Sequence, residues 1–209
     1  VRLVLARHGR TAGNVAKALD SKPPGLPLDD IGLGQAEDLA RRLVDEPVSA
    51  VYASHAVRAQ QTAAPLARAH GLSVVVIDGV QEVFCGDLEG RSDHAAREAF
   101  EKVYQAWLRG EPAAHLPGGE SAFDLRARFI PAVETAVDGG RDAVVVVSHG
   151  AAIRLAVGAM LGESAETRYV PNAGVVVLAG EPGRWTLEHW DAAEPVAGDV
   201  TGGAGEAGW

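Results

Sequence analysis

Short apolar runs alternate with amphipathic stretches along most of this chain. Six runs read as β-strands: residues 2–6, 50–54, 73–77, 143–148, 175–179 and 185–190. Four of them are β-branched and show little polar alternation, the pattern of strands covered on both faces. Helical patterns lie between them. Asp29 is placed to cap a helix whose apolar positions Ala36, Leu39, Ala40 and Leu43 recur at helical spacing. Ala96, Phe100, Val103 and Trp107 form a second stripe, which belongs to the core and is closed by Gly110. Residues 151–161 form a third, with Gly162 as its stop. Pro65 and Pro131 fall inside two further helical windows and are expected to kink or end them. Strands alternating with helices predict an α/β fold, a three-layer αβα sandwich on a mostly parallel central sheet of about six strands. No internal repeat is visible. The expected organisation is a single domain over residues 1–190, followed by a poorly packed tail, 191–209, rich in Gly, Ala and acid.

Composition narrows the class. The chain has 209 residues, 47% of them apolar and 22% charged, enough for one well-packed core. No stretch approaches the roughly 18 apolar residues of a membrane span. A strand starting at residue 2 leaves no room for a signal peptide. The single cysteine, Cys85, excludes an internal disulfide and supplies too few thiolates for a zinc cluster. A cytoplasmic protein is expected. A formal net charge of −9 argues against nucleic acid or an anionic membrane as partner. An acidic chain that binds an anion must instead gather its few cations in one place.

The strand ends suggest where. In open α/β sheets ligands bind beyond the carboxyl ends of the strands. The first strand ends in Arg7-His8-Gly9. The second runs into "SHAVRAQQTA", with Arg58 in the first turn of the next helix. The loop after the third, "VQEVFCGDLEG", carries Glu82, and the fourth ends in His149-Gly150. Two histidines, two arginines and a carboxylate converge on one edge.

These segments resemble a known set of motifs. "RHGRTAGN" is similar to the Arg-His-Gly-x-Thr-x-x-Asn signature of the histidine phosphatase superfamily, the phosphoglycerate mutase-like fold. "SHAVRAQQTA", "EVFCGDLEG", "PGGES" and "VVSHG" resemble that family's later segments, in the family's order. The resemblance implies that His8 attacks phosphorus and carries a phosphohistidine. Arg7, Arg58, His149 and Gly150 would bind the phosphoryl oxygens, with Asn14 nearby. Glu82 would protonate the leaving oxygen and then activate water; Asp87 and Glu89 are its rivals within the same loop.

Physical chemistry agrees with these roles. A histidine nucleophile must be neutral, and neighbouring arginines favour that form. Phosphoryl transfer spreads charge over equatorial oxygens, which forked guanidinium donors suit. An alkoxide needs a proton to depart, hence one carboxylic acid in a cationic pocket. Gly9 and Gly150 allow a sharp bend or a close approach to the ligand.

The reading that follows is a metal-independent phosphomonoester hydrolase of the histidine acid phosphatase type, without cofactor, acting on a small phosphorylated metabolite. The alternatives are a phosphoglycerate mutase, or a non-catalytic phospholigand-binding regulatory protein on the same fold. A metallohydrolase built on His8, Glu82 and His149 is disfavoured, because two arginines would repel a divalent ion. The family's mutases carry a longer insertion after the glutamate loop, which here opens as Glu82-Val83-Phe84-Cys85-Gly86. Residues 91–117 and the loop near Lys22 are expected to set specificity, and a homodimer is compatible with the sequence. Of the remaining residues, Ser54 reads as a helix cap and Cys85 as a small buried residue. Arg10, His55, Arg91, His94 and His115 read as surface or entrance residues, and His70 and His189 as structural.

Overall fold

A computed structural model describes residues 1–139, 141–162 and 165–191; beyond Asp191, the tail expected at 191–209 lies outside the described residues. Six strands form one sheet: β1 (Arg2–Arg7), β2 (Val48–Ala53), β3 (Val74–Val76), β4 (Ala143–Ser148), β5 (Val175–Glu181) and β6 (Arg184–Trp190). Their order is β3-β2-β4-β1-β5-β6. The first four in that order run parallel to one another, while β5 runs antiparallel to β1 and β6 antiparallel to β5. The sheet is therefore mostly parallel, with a hairpin added at one side.

The β-branched runs owe their lack of alternation to helices on both faces. One face presents Leu3, Leu5, Val144 and Val146 to α4 (His94–Leu108), α5 (Ala122–Val137) and α6 (Gly150–Leu161). The opposite face presents Val4, Ala6, Val145 and Val147 to α2 (Asp30–Arg42) and α3 (Val57–Ala69). Every residue of β4 is buried. Each fully covered valine contributes about 1.5–3 kcal/mol, which makes this strand the spine of the fold.

Local signals set most helix starts. Asp29 caps α2 by accepting the Gly32 N–H, and Ser121 forms a capping box with Asp124 at the start of α5. Of the two expected effects of the prolines, helix termination does not occur. Neither Pro65 nor Pro131 ends its helix: α3 continues to Ala69 and α5 to Val137. The residues beyond each proline, Leu66 and Ala67 in α3 and Val133 and Ala136 in α5, are buried. Their packing outweighs the roughly 3 kcal/mol that an interior proline costs. A short helix absent from the hydrophobic pattern, α1 (Ala12–Ala16), is set by a capping box between Thr11 and Asn14.

The registers end flush. Arg7 pairs with Ser148 and Ala53 with Val147, so β2, β4 and β1 finish side by side. Because β5 is antiparallel, with Val175 opposite Ala6, its amino end reaches the same edge. Gly9 also meets a packing demand. A Cβ there would lie 2.6 Å from the Gly32 carbonyl oxygen, so Gly9 lets the chain pack onto α2 as it leaves β1.

Candidate active site

The ends of β1 and β4 deliver their polar residues inward. Arg7 and His8 are 0% and 4% exposed, and His149 is 1% exposed. The His8 Nδ1 lies 2.7 Å from the Gly9 carbonyl, which can only accept, so Nδ1 carries the proton and Nε2 keeps its lone pair. Arg58 Nε–H donates to that Nε2 at 3.2 Å. Burial first, then the charges of Arg58 and Arg7, hold the His8 pKa well below 6.5. His8 is therefore a neutral imidazole with its nucleophilic nitrogen already defined.

His149 packs against His8, ring centroids 5.2 Å apart at 62°. Arg58 Nη2 donates to its Nδ1 at 3.3 Å. Its Nε2 is 2.8 Å from Ser54 Oγ, and the tautomer that accepts from Arg58 donates to Ser54. Burial and the neighbouring Arg58 keep this ring neutral as well. Ser54 departs from its expected role. The residue capping α3 is Ala56, without a side-chain bond, and Ser54 orients His149 while accepting the Ala56 N–H. The Arg58 guanidinium thus spans both imidazoles, where a cation would have to sit if the two histidines were metal ligands.

The two arginines differ in how their donors are used. Arg58 also holds Asp20, from Nη1 to Oδ2 at 3.1 Å and from Nη2 to the carbonyl at 2.7 Å. Arg7 spends one nitrogen: Nη1 donates to Tyr169 Oη and to the Val170 carbonyl, each at 2.9 Å. Among the described residues its Nε and Nη2 have no partner, although both are buried. Buried charged donors left unpaired cost roughly 1–3 kcal/mol or more, an expense removed by an arriving anion.

The carboxylate arrives on a loop. Glu82 accepts from the backbone N–H groups of Val83 at 2.8 Å, Ala152 at 2.9 Å and Ala151 at 3.2 Å, the last two at the start of α6. Burial nevertheless raises its pKa, favouring the protonated acid, and those backbone bonds only partly oppose the rise. The loop itself is clamped from behind. Arg128 donates to the carbonyls of Gly79, Gln81 and Glu82 at 2.7, 2.9 and 2.8 Å. It also forms a bidentate pair with Glu120 at 2.8 and 2.7 Å, and Glu120 accepts the Phe84 N–H at 2.9 Å. Both rivals to Glu82 lie elsewhere. Glu89 accepts from the backbone of Ser21 at 2.9 Å and of Lys22 at 3.0 Å, and from the Ser21 hydroxyl. Asp87 flanks Gly118, where a Cβ would meet its carboxylate at 2.6 Å.

A small cleft open to solvent is lined by Arg7, His8, Asn14, Arg58 and Glu82, together with Thr11, Ala18, Asp20, Ser21 and Cys85. His149 and Gly150 are not among its walls: His149 lies against His8, and Gly150 opens α6 behind it. Asn14 does two jobs. Its Oδ1 accepts from Thr11 N–H at 3.0 Å and from Asn172 Nδ2 at 3.3 Å, which leaves its own amide nitrogen for a ligand. Asp20, Tyr169, Asn172 and the Glu120–Arg128 pair were not legible from the motifs as site residues, although Glu120 lies within "PGGES". Tyr169 and Asn172 come in on the amino end of an antiparallel strand, which the carboxyl-end rule does not cover. The entrance candidates are engaged on the surface: Arg10 with Asp29, Arg91 with Asp93 and His55 with Asp78.

Fold and site together define an α/β protein with a neutral histidine pair and an arginine cradle built for an anion. The chain belongs to the histidine phosphatase superfamily (branch 1), whose family profile matches residues 3–193. It is similar to a mycobacterial glucosyl-3-phosphoglycerate phosphatase solved with VO3, at a TM-score of 0.79 and 30% identity, covering 92% of this chain and 99% of the other. A putative alpha-ribazole-5'-P phosphatase from Escherichia coli gives a TM-score of 0.75 at 25% identity, covering 92% and 96%. Among sequence relatives, the PE-PGRS family protein PE_PGRS11 of Mycobacterium tuberculosis is 32% identical over 88% of this chain, which spans only 35% of that protein. A probable phosphoglycerate mutase GpmB of Photorhabdus laumondii is 28% identical over 96% of this chain and 94% of its own length.

Proposed function

We propose that the protein hydrolyses phosphomonoesters through a phosphohistidine on His8. The observation that carries this reading is the pairing of a neutral, lone-pair-bearing His8 with two unpaired, buried donor nitrogens on Arg7 in one cleft. The free donors await phosphoryl oxygens beside the nitrogen that would attack phosphorus.

The chemistry runs in two displacements. His8 Nε2 attacks phosphorus, the ester P–O bond breaks, and protonated Glu82 gives its proton to the departing alcohol oxygen. Arg7 and Arg58 neutralise the equatorial oxygens as charge builds, and Arg58 turns its Nε–H from His8 to the phosphoryl group. His149 lies against His8 with both nitrogens engaged, so it binds a phosphoryl oxygen only by turning its Nε2–H away from Ser54. Glu82, now a carboxylate, takes a proton from water as that water attacks the phosphohistidine. Inorganic phosphate leaves, and both residues return to their starting states. Every step uses groups of this chain and water, so no cofactor or metal enters. Relatives of this fold are named both as phosphatases and as a probable phosphoglycerate mutase. Residues 91–117 are occupied largely by α4, which leaves little chain for a lid over the phosphoenzyme and favours hydrolysis over phosphate return.

Brief reaction with a ³²P-labelled ester should leave an acid-labile, alkali-stable adduct on the protein. His8→Ala should lose both the adduct and turnover, by about 10⁴-fold or more. A chelated sample should release inorganic phosphate faster than it interconverts 2- and 3-phosphoglycerate. An active His8→Ala variant would end the proposal.

A further inference from the structure

The cleft's charges are used up by a single phosphoryl group. Arg7 and Arg58 are the cations among its walls, and Asp20 and Glu82 the carboxylates. Thr11, Asn14, Ala18 and Ser21 carry no charge. Cys85 stays a neutral thiol because burial pushes its pKa up. Cations on the neighbouring chain are directed elsewhere. Arg10 pairs with Asp29 and Arg91 with Asp93, each at 2.8 Å, and the Lys22 ammonium sits 4.9 Å from the centre of the Phe84 ring.

Asp20 is the wall residue that catalysis does not explain. Its Oδ2 accepts from Arg58 at 3.1 Å and from the Leu26 N–H at 2.9 Å. Within the ion pair, the Arg58 side chain is 3% exposed and the Asp20 side chain 21%, so the carboxylate is the member that solvent reaches. Gly25 makes this possible. It has a φ of +64°, and a Cβ there would fall 2.3 Å from Arg58 Nη1 and 3.0 Å from Asp20 Oδ1. The pair is thus packed beneath bare backbone, with the negative end beside the open part of the cleft.

Resting on the phosphatase reading, we infer that the cleft selects phosphomonoesters whose alcohol half carries no anionic group, and that Asp20 sets this preference. A phosphoryl dianion brings two negative charges, which two guanidiniums match. A carboxylate or second phosphate on the alcohol then meets Asp20 with no wall cation left to offset it. At separations of about 6–8 Å, such a repulsion in a partly buried site amounts to about tenfold or more in kcat/KM. A hydroxyl finds a donor in the Asn14 amide nitrogen, whose Oδ1 is engaged by Thr11 and Asn172, and an ammonium is attracted by Asp20.

The test measures kcat/KM at pH 7 and fixed ionic strength for β-glycerophosphate, O-phosphoethanolamine and 3-phosphoglycerate, with p-nitrophenyl phosphate as reference. The wild-type protein should prefer the first two over 3-phosphoglycerate by about tenfold or more. Asp20→Asn should shrink the ratio of O-phosphoethanolamine to 3-phosphoglycerate by a similar factor, while Asp20→Glu keeps it. Ratios taken within one protein cancel any general loss from a displaced Arg58. Equal wild-type turnover of 3-phosphoglycerate, or a ratio unmoved by Asp20→Asn, overturns the inference while leaving the hydrolase intact. Failure to hydrolyse any of the four esters overturns the hydrolase reading itself, and this inference with it.

Discussion

The two halves of the cleft are built on different foundations. Arg7, His8 and His149 stand at the ends of adjacent strands, and the flush pairing of Arg7 with Ser148 fixes their spacing. Glu82 stands in a loop whose regular structure amounts to one short turn, Gly86–Leu88. Its position depends on the Arg128 clamp and on the start of α6. Sheet register therefore places the His8 imidazole and the Arg7 guanidinium, whereas a few side-chain bonds place the Glu82 carboxyl. The first half is hard to disturb without unfolding the sheet. The second can be loosened by one distant residue.

The largest effects are expected in the strand-end half, where the two arginines should part company. Arg7→Met should lower kcat/KM by about 10²–10³-fold, because a transition-state donor is lost. Its effect on the stability of the unliganded protein should be small or favourable, since a buried cation with two unpaired donor nitrogens disappears. Arg58→Met should lower activity comparably but also lower Tm, because it strands Asp20 and removes the bridge between two histidines. Steady-state kinetics and thermal melts of both variants decide the matter. Equal melting behaviour would erase the distinction between a waiting donor and an engaged one.

Next in size is the acid. Glu82→Gln should slow hydrolysis of an alkyl phosphate by about 10²–10⁴-fold while sparing p-nitrophenyl phosphate, whose leaving group needs little protonation. An equal loss on both would make Glu82 a positioning residue.

Arg128→Gln should reproduce that signature on a smaller scale, about tenfold on the alkyl ester, because it frees the Glu82 loop without removing the acid. Added to Glu82→Gln, the same change should cost almost nothing further, which a double-mutant cycle measures directly. Additive losses would show that Arg128 supports the site by some other route.

The smallest effects come from pH, and they separate the halves by sign. On the proposed mechanism Glu82 acts as the protonated acid, and burial raises its pKa, so kcat/KM for an alkyl ester should fall as pH rises through that elevated value. That alkaline limb should be absent in Glu82→Gln. His8 and His149 have pKa values held well below 6.5. The unfolded chain takes up protons near pH 6.5 that the folded protein refuses, so stability should decline as pH falls through about 6.5. Melts across this range check the sign, and a rise in stability toward acid would contradict neutral, buried rings.

The sequence alone determined the layer architecture, because β-branched runs without alternation can only be strands covered on both faces. It also determined which strand ends bear the chemistry, since Arg7-His8 and His149 directly follow apolar runs. Tertiary structure decided the rest. Helix α3 runs on past Pro65 because Leu66 and Ala67 are buried beyond it. Ser54 serves His149 as well as the Ala56 N–H at the start of α3, because β2 lies beside β4. Tyr169 and Asn172 reach Arg7 and His8 only because β5 is antiparallel and brings its amino end to the edge where β1 finishes. Glu82 is separated from Asp87 and Glu89 by the partners each finds across the fold, Ala152 for one and Ser21 for another. Local pattern encodes what a residue prefers, burial or exposure, helix or strand. Which distant group completes its hydrogen bonds depends on strand order and register, which local pattern does not carry.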